Sequence, residues 1–329
     1  MSIQVEFSKL MAGINDNHPG MARNPMNNRR KFLQKTLVLS SGALLMPTMM
    51  HGFTKVDSKK IPVNGHLWVY ASKFPPNWDA YPDLEKVFAD MSYAGLDGVE
   101  LMESILRHED SVKRLKKYSK KYKIAVSGSS YGVGLAMWDA SQYQKIADDL
   151  AIVIPRLAKV GGKTFGVSVG EADHLKTESE LDAQAKILKE LMKICADHGI
   201  EPNLHNHTYE VKNDLHDLKG TLARIPEIKL GPDLNWLIRA GVDPVEFINT
   251  YGKQIVYLHI RDQYDNGEWT EYLGQGDTDF NRIAKALEAQ GFNGQVAIEL
   301  AFPGEFTPVN PLKEDWKMSR EFIRETFGW

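Results

Sequence analysis

The chain has 329 residues, of which 25% are charged and 43% hydrophobic, with a formal net charge of −3. That composition falls outside the disordered and membrane-embedded classes, and the slight acidic surplus argues against a nucleic-acid partner, whose binders carry a basic excess. The single cysteine, Cys195, rules out an intramolecular disulfide.

In chain order, the first distinctive stretch is Asn28-Arg29-Arg30-Lys31-Phe32-Leu33-Gln34-Lys35, followed by an apolar, small-residue run from Thr36 to Met50. A basic region before a short hydrophobic one is signal-peptide anatomy, and the run is too short to span a bilayer comfortably. The arginine pair resembles a twin-arginine (Tat) export signal, so an exported, periplasmic protein is expected. Export by this route fits a start at Met26 best, and no clean Ala-x-Ala cleavage site precedes residue 60. Residues 1–60 are therefore read as a signal or disordered segment and residues 61–329 as one domain. No stable membrane span is expected after processing.

From Pro62 onward, short apolar segments alternate with helical patterns. The expected strands are Gly65–Tyr70, Gly98–Met102, Ile124–Gly128, Thr164–Ser168, Glu201–His205, Ile228–Asp233, Ile255–Ile260 and Gln295–Leu300. Between them, Leu84, Val87, Phe88 and Met91 share one helix face, and the helix stops at Gly95. Ile146, Leu150, Val153, Ile154 and Leu157 share another, closed by Gly161-Gly162. Leu188, Leu191, Met192 and Cys195 share a third, ending at Gly199; this makes Cys195 a packing residue. A later helix carries Ile283, Ala284 and Leu287 and ends at Gly291. The basic run Lys113–Lys123 is interleaved with Val112, Leu115 and Tyr122, as on the solvated face of an amphipathic helix. Eight strand–helix units imply a parallel sheet closed into a (β/α)8 TIM barrel, an α/β fold. A doubly wound sheet would normally show a Gly-rich first turn, and no G-x-G-x-x-G or Walker pattern is present.

TIM-barrel chemistry sits where strands end. Strand five runs into Leu204-His205-Asn206-His207-Thr208-Tyr209-Glu210, with His205 and His207 on one side of an extended chain. Strand six ends at Pro232-Asp233. In strand seven Tyr257, His259 and Arg261 alternate with aliphatics, and in strand eight Ala297 and Glu299 do the same. A carboxylate in so apolar a strand is costly unless paired or bound to a metal. Asp233, His259 and Glu299, with Glu210 before them, form a hard O/N donor set suited to Mn²⁺, Mg²⁺, Co²⁺ or Zn²⁺. Taken singly, Asp233 reads best as a helix cap and His259 equally well as a structural histidine.

The stretch from Gly65 to the end resembles the xylose-isomerase-like TIM barrels, the sugar phosphate isomerase/epimerase family. The matching pieces are Ala94-Gly95-Leu96-Asp97-Gly98-Val99-Glu100, His205-Asn206-His207-x-x-Glu210, the Asp233 turn, His259-Ile260-Arg261-Asp262, Leu273-Gly274-Gln275-Gly276-Asp277 and Ala297-Ile298-Glu299. The resemblance implies one divalent metal ion held by Glu210, Asp233, His259 and Glu299. Many members place the first glutamate where this chain has His205, so His205 is the alternative ligand. Arg261 stands where a lysine is usual.

By the same resemblance, a sugar chelates the metal and loses an α-proton to form an enediolate. Glu210 and Glu299 are the expected proton carriers, with His207 as the substitute base. His66, Glu100, His205, Arg261 and Trp236 are expected to contact substrate. Trp68, Tyr131, Trp138 and Trp236 are candidates to stack on sugar rings. Three outcomes stand open: isomerisation or epimerisation of an unphosphorylated sugar, β-elimination from a 3-keto-glycoside by a lyase, and sugar binding without turnover. A phosphodiesterase on the same fold needs more histidines at strand ends and a basic face. The expected partner is a small sugar; a homo-oligomer is compatible with the sequence.

Overall fold

The computed structural model describes residues 60–132, 134–302 and 306–329. The expected export segment, apart from Lys60, lies outside the described residues. Eight parallel strands follow one another: β1 (Val63–His66), β2 (Gly98–Met102), β3 (Ala125–Tyr131), β4 (Thr164–Val167), β5 (Glu201–Leu204), β6 (Lys229–Leu230), β7 (Tyr257–Ile260) and β8 (Gln295–Ile298). Each strand pairs with the next in sequence from β1 to β6, β7 pairs with β8, and β8 pairs with β1. Two isolated bridges, Leu230↔Ile255 and Asp233↔His259, close the cylinder between β6 and β7. The expected (β/α)8 barrel is what forms.

Most strand limits shift by a residue or more, β3 running on to Tyr131 beyond the expected Gly128, and two of the shifts have a clear cause. The first strand stops at His66, and Trp68–Ala71 becomes a four-residue helix buried on every side. A short apolar run does not distinguish a buried strand from a buried helical turn, so the sequence signal overshot. The sixth strand keeps only two residues because Pro232 has no amide to continue the ladder.

The helices bury the faces their periodicity marks. Leu84, Val87, Phe88 and Met91 are buried in Leu84–Tyr93, and Ile146, Leu150, Val153, Ile154 and Leu157 in Tyr143–Lys159. Cys195 is fully buried on Glu178–Asp197, and burial pushes its thiol up to about 12. In Ser111–Tyr122 the buried positions are Ser111, Leu115 and Tyr118, which leaves the lysines outward. Among the described residues, no helix is long and apolar enough to cross a membrane. The helix Glu178–Asp197 begins with a full capping box, Thr177 accepting from the Glu180 amide while Glu180 accepts from the Thr177 amide at 2.7 Å. Thr177→Ala is expected to cost about 1 kcal/mol, read as a lower urea midpoint with an unchanged slope.

Side chains alternate across each strand. Val99, Leu101, Phe165, Val167, Leu258, Ile260, Val296 and Ile298 are buried with the apolar core. The other set is polar and meets inside the cylinder: Asn64 donates to Gln295 at 3.2 Å, and Tyr257 Oη donates to Glu100 Oε2 at 3.1 Å. Gly231 leaves the room this needs, since a Cβ there would stand 1.8 Å from Asn203 Oδ1. A polar interior carries hydrogen-bonding groups straight up to the strand ends.

Candidate active site

A cavity opens at the C-terminal mouth of the barrel. Its polar side comes from strand ends around the ring: His66 ends β1, Ser130 lies in β3, Ser168 follows β4, His205 and His207 follow β5, Arg261 follows β7 and Glu299 follows β8. Trp68, Trp78, Met102, Tyr131 and Trp236 form its apolar side, with the Trp68 and Trp78 rings 5.5 Å apart.

Below this floor runs a chain of three groups. His259 Nε2 lies 2.7 Å from Glu100 Oε2, and its Nδ1 lies 2.9 Å from His205 Nδ1. Burial alone would lower the pKa of His259, but Glu100 outweighs it and raises the group to about 9. As an imidazolium it donates from both nitrogens, to Glu100 and to His205. His205 is held well below its ordinary value, first by burial and then by His259, so it accepts at Nδ1 and keeps its proton on Nε2. His66 accepts the Trp68 amide at Nδ1, 3.3 Å, so its Nε2 donates to Ser130 Oγ at 2.9 Å.

A second chain orients His207. The hydroxyl of Ser168 donates to Glu210 Oε1 at 2.6 Å. The Tyr209 hydroxyl, 2.9 Å from Ser168 Oγ, therefore donates to it and accepts from His207 Nδ1 at 3.0 Å. That order places the free lone pair of His207 on Nε2. Glu210 also takes the amides of Val169 and His207, at 3.1 and 2.6 Å, which fixes the turn carrying both groups. Burial pushes Glu210 up to about 8.

The third cluster is cationic at its centre. Arg261 Nη2 donates to Asp233 Oδ2 at 3.3 Å and makes a short contact with Glu299 Oε1. Glu299 is held below the ordinary carboxylate range: burial opposes this, but Arg261, His66 and His259 outweigh it. Asp233 caps the helix Leu234–Arg239 through Oδ1, which accepts the amides of Asn235 and Trp236 at 2.8 and 3.1 Å.

The sequence-expected residues thus divide. His66, His205, His207, Arg261, Trp236 and Glu299 line the cavity. Glu100 does not; it lies beneath the floor on His259 and Tyr257, because an inward residue in mid-strand is a layer lower than one at a strand end. Glu210 does not reach Asp233, His259 and Glu299, because three hydrogen bonds hold its carboxyl on the Ser168 side. Trp138 donates to the Glu171 carbonyl and packs on His174. Ser130, Ser168, Trp78 and Met102 line the cavity and were not singled out. The strand-end rule would have found Ser168, the last residue of the expected fourth strand; nothing local marks Trp78.

Three buried side chains, His66, Glu100 and His259, bring ligand atoms within 4.8 Å of one another, close enough to share an ion. Each is already committed: both His66 nitrogens have partners, and Glu100 takes His259 and the Tyr257 hydroxyl. The expected set of Glu210, Asp233, His259 and Glu299 does not fit one ion as the side chains stand. Glu210 is elsewhere, both His259 nitrogens are bonded, and a guanidinium already stands between Asp233 and Glu299.

A closed parallel barrel with convergent imidazole, carboxylate and guanidinium groups at its C-terminal mouth defines a TIM barrel of the enzyme-bearing type. Residues 88–326 match the model of the xylose isomerase-like TIM barrel, and the chain belongs to that family. It is 23% identical over 293 residues to an inosose dehydratase of Clostridium botulinum (strain Alaska E43 / Type E3), covering 76% of this chain and 95% of that protein. Among solved structures it resembles D-allulose 3-epimerase from Methylomonas sp. (TM-score 0.68, 18% identity, 82% of this chain and 98% of that one). It also resembles 3-keto-D-glucoside 4-epimerase from E. coli (TM-score 0.63, 17% identity, 81% and 100%).

Proposed function

We propose that the protein moves a proton at the carbon beside a sugar carbonyl, acting as an isomerase or epimerase on an unphosphorylated sugar. The observation that carries this is the meeting, in one cavity, of a neutral imidazole, a carboxylate and a guanidinium. His207, lowered to about 4 first by burial, is neutral at pH 7 and takes the α-proton at Nε2. The C–H electrons move into the carbonyl, whose oxygen becomes the enediolate oxygen. Arg261, in the lining, stabilises that oxygen, and Glu299, on the neighbouring strand end and paired with Arg261, handles the hydroxyl proton. Return of a proton to the other face gives an epimer; return to the neighbouring carbon gives an isomer. The lining supports an unphosphorylated substrate: its single arginine is already shared by two carboxylates, so no cluster awaits a phosphate. An exported enzyme, as the N-terminal segment suggests, would meet such sugars.

A second reading is favoured by one observation, the match to a dehydratase. Loss of a leaving group from the β-carbon of the same enediolate makes the enzyme a lyase, with a 3-keto-glycoside releasing its aglycone against Trp68 and Trp78. Incubation with ketoses and 3-keto-glycosides in D2O, followed by NMR, tests both readings. Deuterium at the α-carbon with retained substrate skeleton supports the first, and aglycone release supports the second. Tight sugar binding with neither outcome would reduce the protein to a non-catalytic binder.

A further inference from the structure

We propose that Arg261 is itself the cation that stabilises the developing oxyanion, taking from within the chain the place a divalent ion would occupy between Asp233 and Glu299. This rests on the proton-transfer reading of the same site. Arg261 is buried, and one of its nitrogens, Nη2, is shared by the two carboxylates. Its guanidinium carbon lies 5.4 Å from the Trp236 ring and 4.8 Å from the Trp269 ring, so the planar group rests against two aromatic side chains. Nε and Nη1 are buried and have no hydrogen-bond partner among the described residues. Arg261 belongs to the cavity lining, and unpaired buried donors on a charged group are costly until an oxygen reaches them. A carbonyl oxygen that gains charge in the reaction is held best by one of these donors when the charge is greatest, which is the differential stabilisation that lowers a barrier.

The alternative occupant meets opposition from every side. A divalent ion between Asp233 and Glu299 would stand against a guanidinium that cannot lose its proton. The ring position that would add negative charge holds His205, which is bonded to His259. Lysine at 261 would offer one compact ammonium; arginine offers a fork that can hold the carboxylates with one nitrogen and substrate with two others.

The test has a substrate-free arm. Wild-type protein is purified, analysed for bound metal, and followed by thermal shift with Mn²⁺ or Zn²⁺ alone. We expect no stoichiometric metal and no shift in midpoint. Arg261→Met frees the two carboxylates, and a Mn²⁺-dependent rise in midpoint that wild type lacks is expected. In the activity arm, wild-type deuterium exchange persists in EDTA, whereas Arg261→Met loses on the order of 10²–10³-fold, partly restored by added guanidinium. Arg261→Lys, which keeps the charge and is the safer variant for folding, also loses rate. One equivalent of metal on wild type, loss of exchange in EDTA, or full activity in Arg261→Lys would overturn the proposal. Failure of wild type to exchange any sugar removes the function reading, while the metal arm still decides whether Arg261 fills the ion's place.

Discussion

Replacing His207 with glutamine is expected to slow α-carbon deuterium uptake by on the order of 10²–10⁴-fold, the usual worth of a positioned general base. Glutamine keeps the size of the side chain and a group for Tyr209 but has no basic lone pair. The pH profile separates this from a packing defect. Burial, with Arg261 and His259 adding, holds His207 at about 4, so the base is present above that value and lost below it. Wild-type exchange should therefore fall as pH drops through about 4, rather than near the ordinary 6.5 of a histidine. In His207→Gln the residual rate should lack that limb. An unchanged limb at full rate would remove His207 from the mechanism. Tyr209→Phe breaks the relay to Ser168 and Glu210, and should give an intermediate loss without abolishing the limb. The same burial has a thermodynamic side. Unfolded His207 takes a proton near 6.5 but the folded group only near 4, so stability should decline as pH falls across that window. His205 and His66, both lowered mainly by burial, act in the same direction.

Lys176→Met is expected to destabilise the fold by about 3–5 kcal/mol, the cost of leaving a buried partner charge uncompensated. Lys176 is 5% exposed and donates to the Gly170 carbonyl at 3.0 Å, to Gln184 Oε1 at 2.8 Å and, in a short contact, to Asp217 Oδ2. Methionine fills the volume but strands Asp217, which keeps Gln184 as its main donor, at 2.7 Å. The double variant Lys176→Met/Asp217→Leu should recover most of the loss, because an apolar pair of similar volume is often as good as a buried ion pair. Urea midpoints of the two variants check this. A single variant as stable as wild type would show that Lys176 is not needed to neutralise Asp217. Because Gly170 lies two residues from Ser168, the single variant should also lose activity beyond its loss of folded protein.

The fold was legible because its signals are local. The helix faces are read from positions three and four apart, and their stops from Gly95, Gly161, Gly199 and Gly291, all of which adopt positive φ. The strand ends were legible for the same reason, and they carried His66, His205, Arg261 and Glu299 to the cavity. What failed to show was the direction of long side chains once the backbone left the strand. Glu210 follows His207 by one helical turn, and its three donors come from Ser168, Val169 and His207 itself; two of these lie 42 and 41 residues away. Arg261 reads in sequence as one more basic residue beside a histidine. Its role as a bridge depends on Asp233 and Glu299, 28 and 38 residues away, meeting over it. Asp233 shows both sides: its cap was legible from the helix that follows, whereas its second oxygen's partner was not.

The join between β6 and β7 is, with β5–β6, among the thinnest parts of the ring. It has two single bridges, Leu230↔Ile255 and Asp233↔His259, against five paired positions between β2 and β3. A hoop yields first at its weakest rivet, and here the rivets sit under the reactive groups. Strain applied to the cylinder would thus reach Asp233 and His259 early. A sugar drawn against Arg261 would lie across this gap and brace it, so the loaded molecule should be mechanically tougher than the empty one.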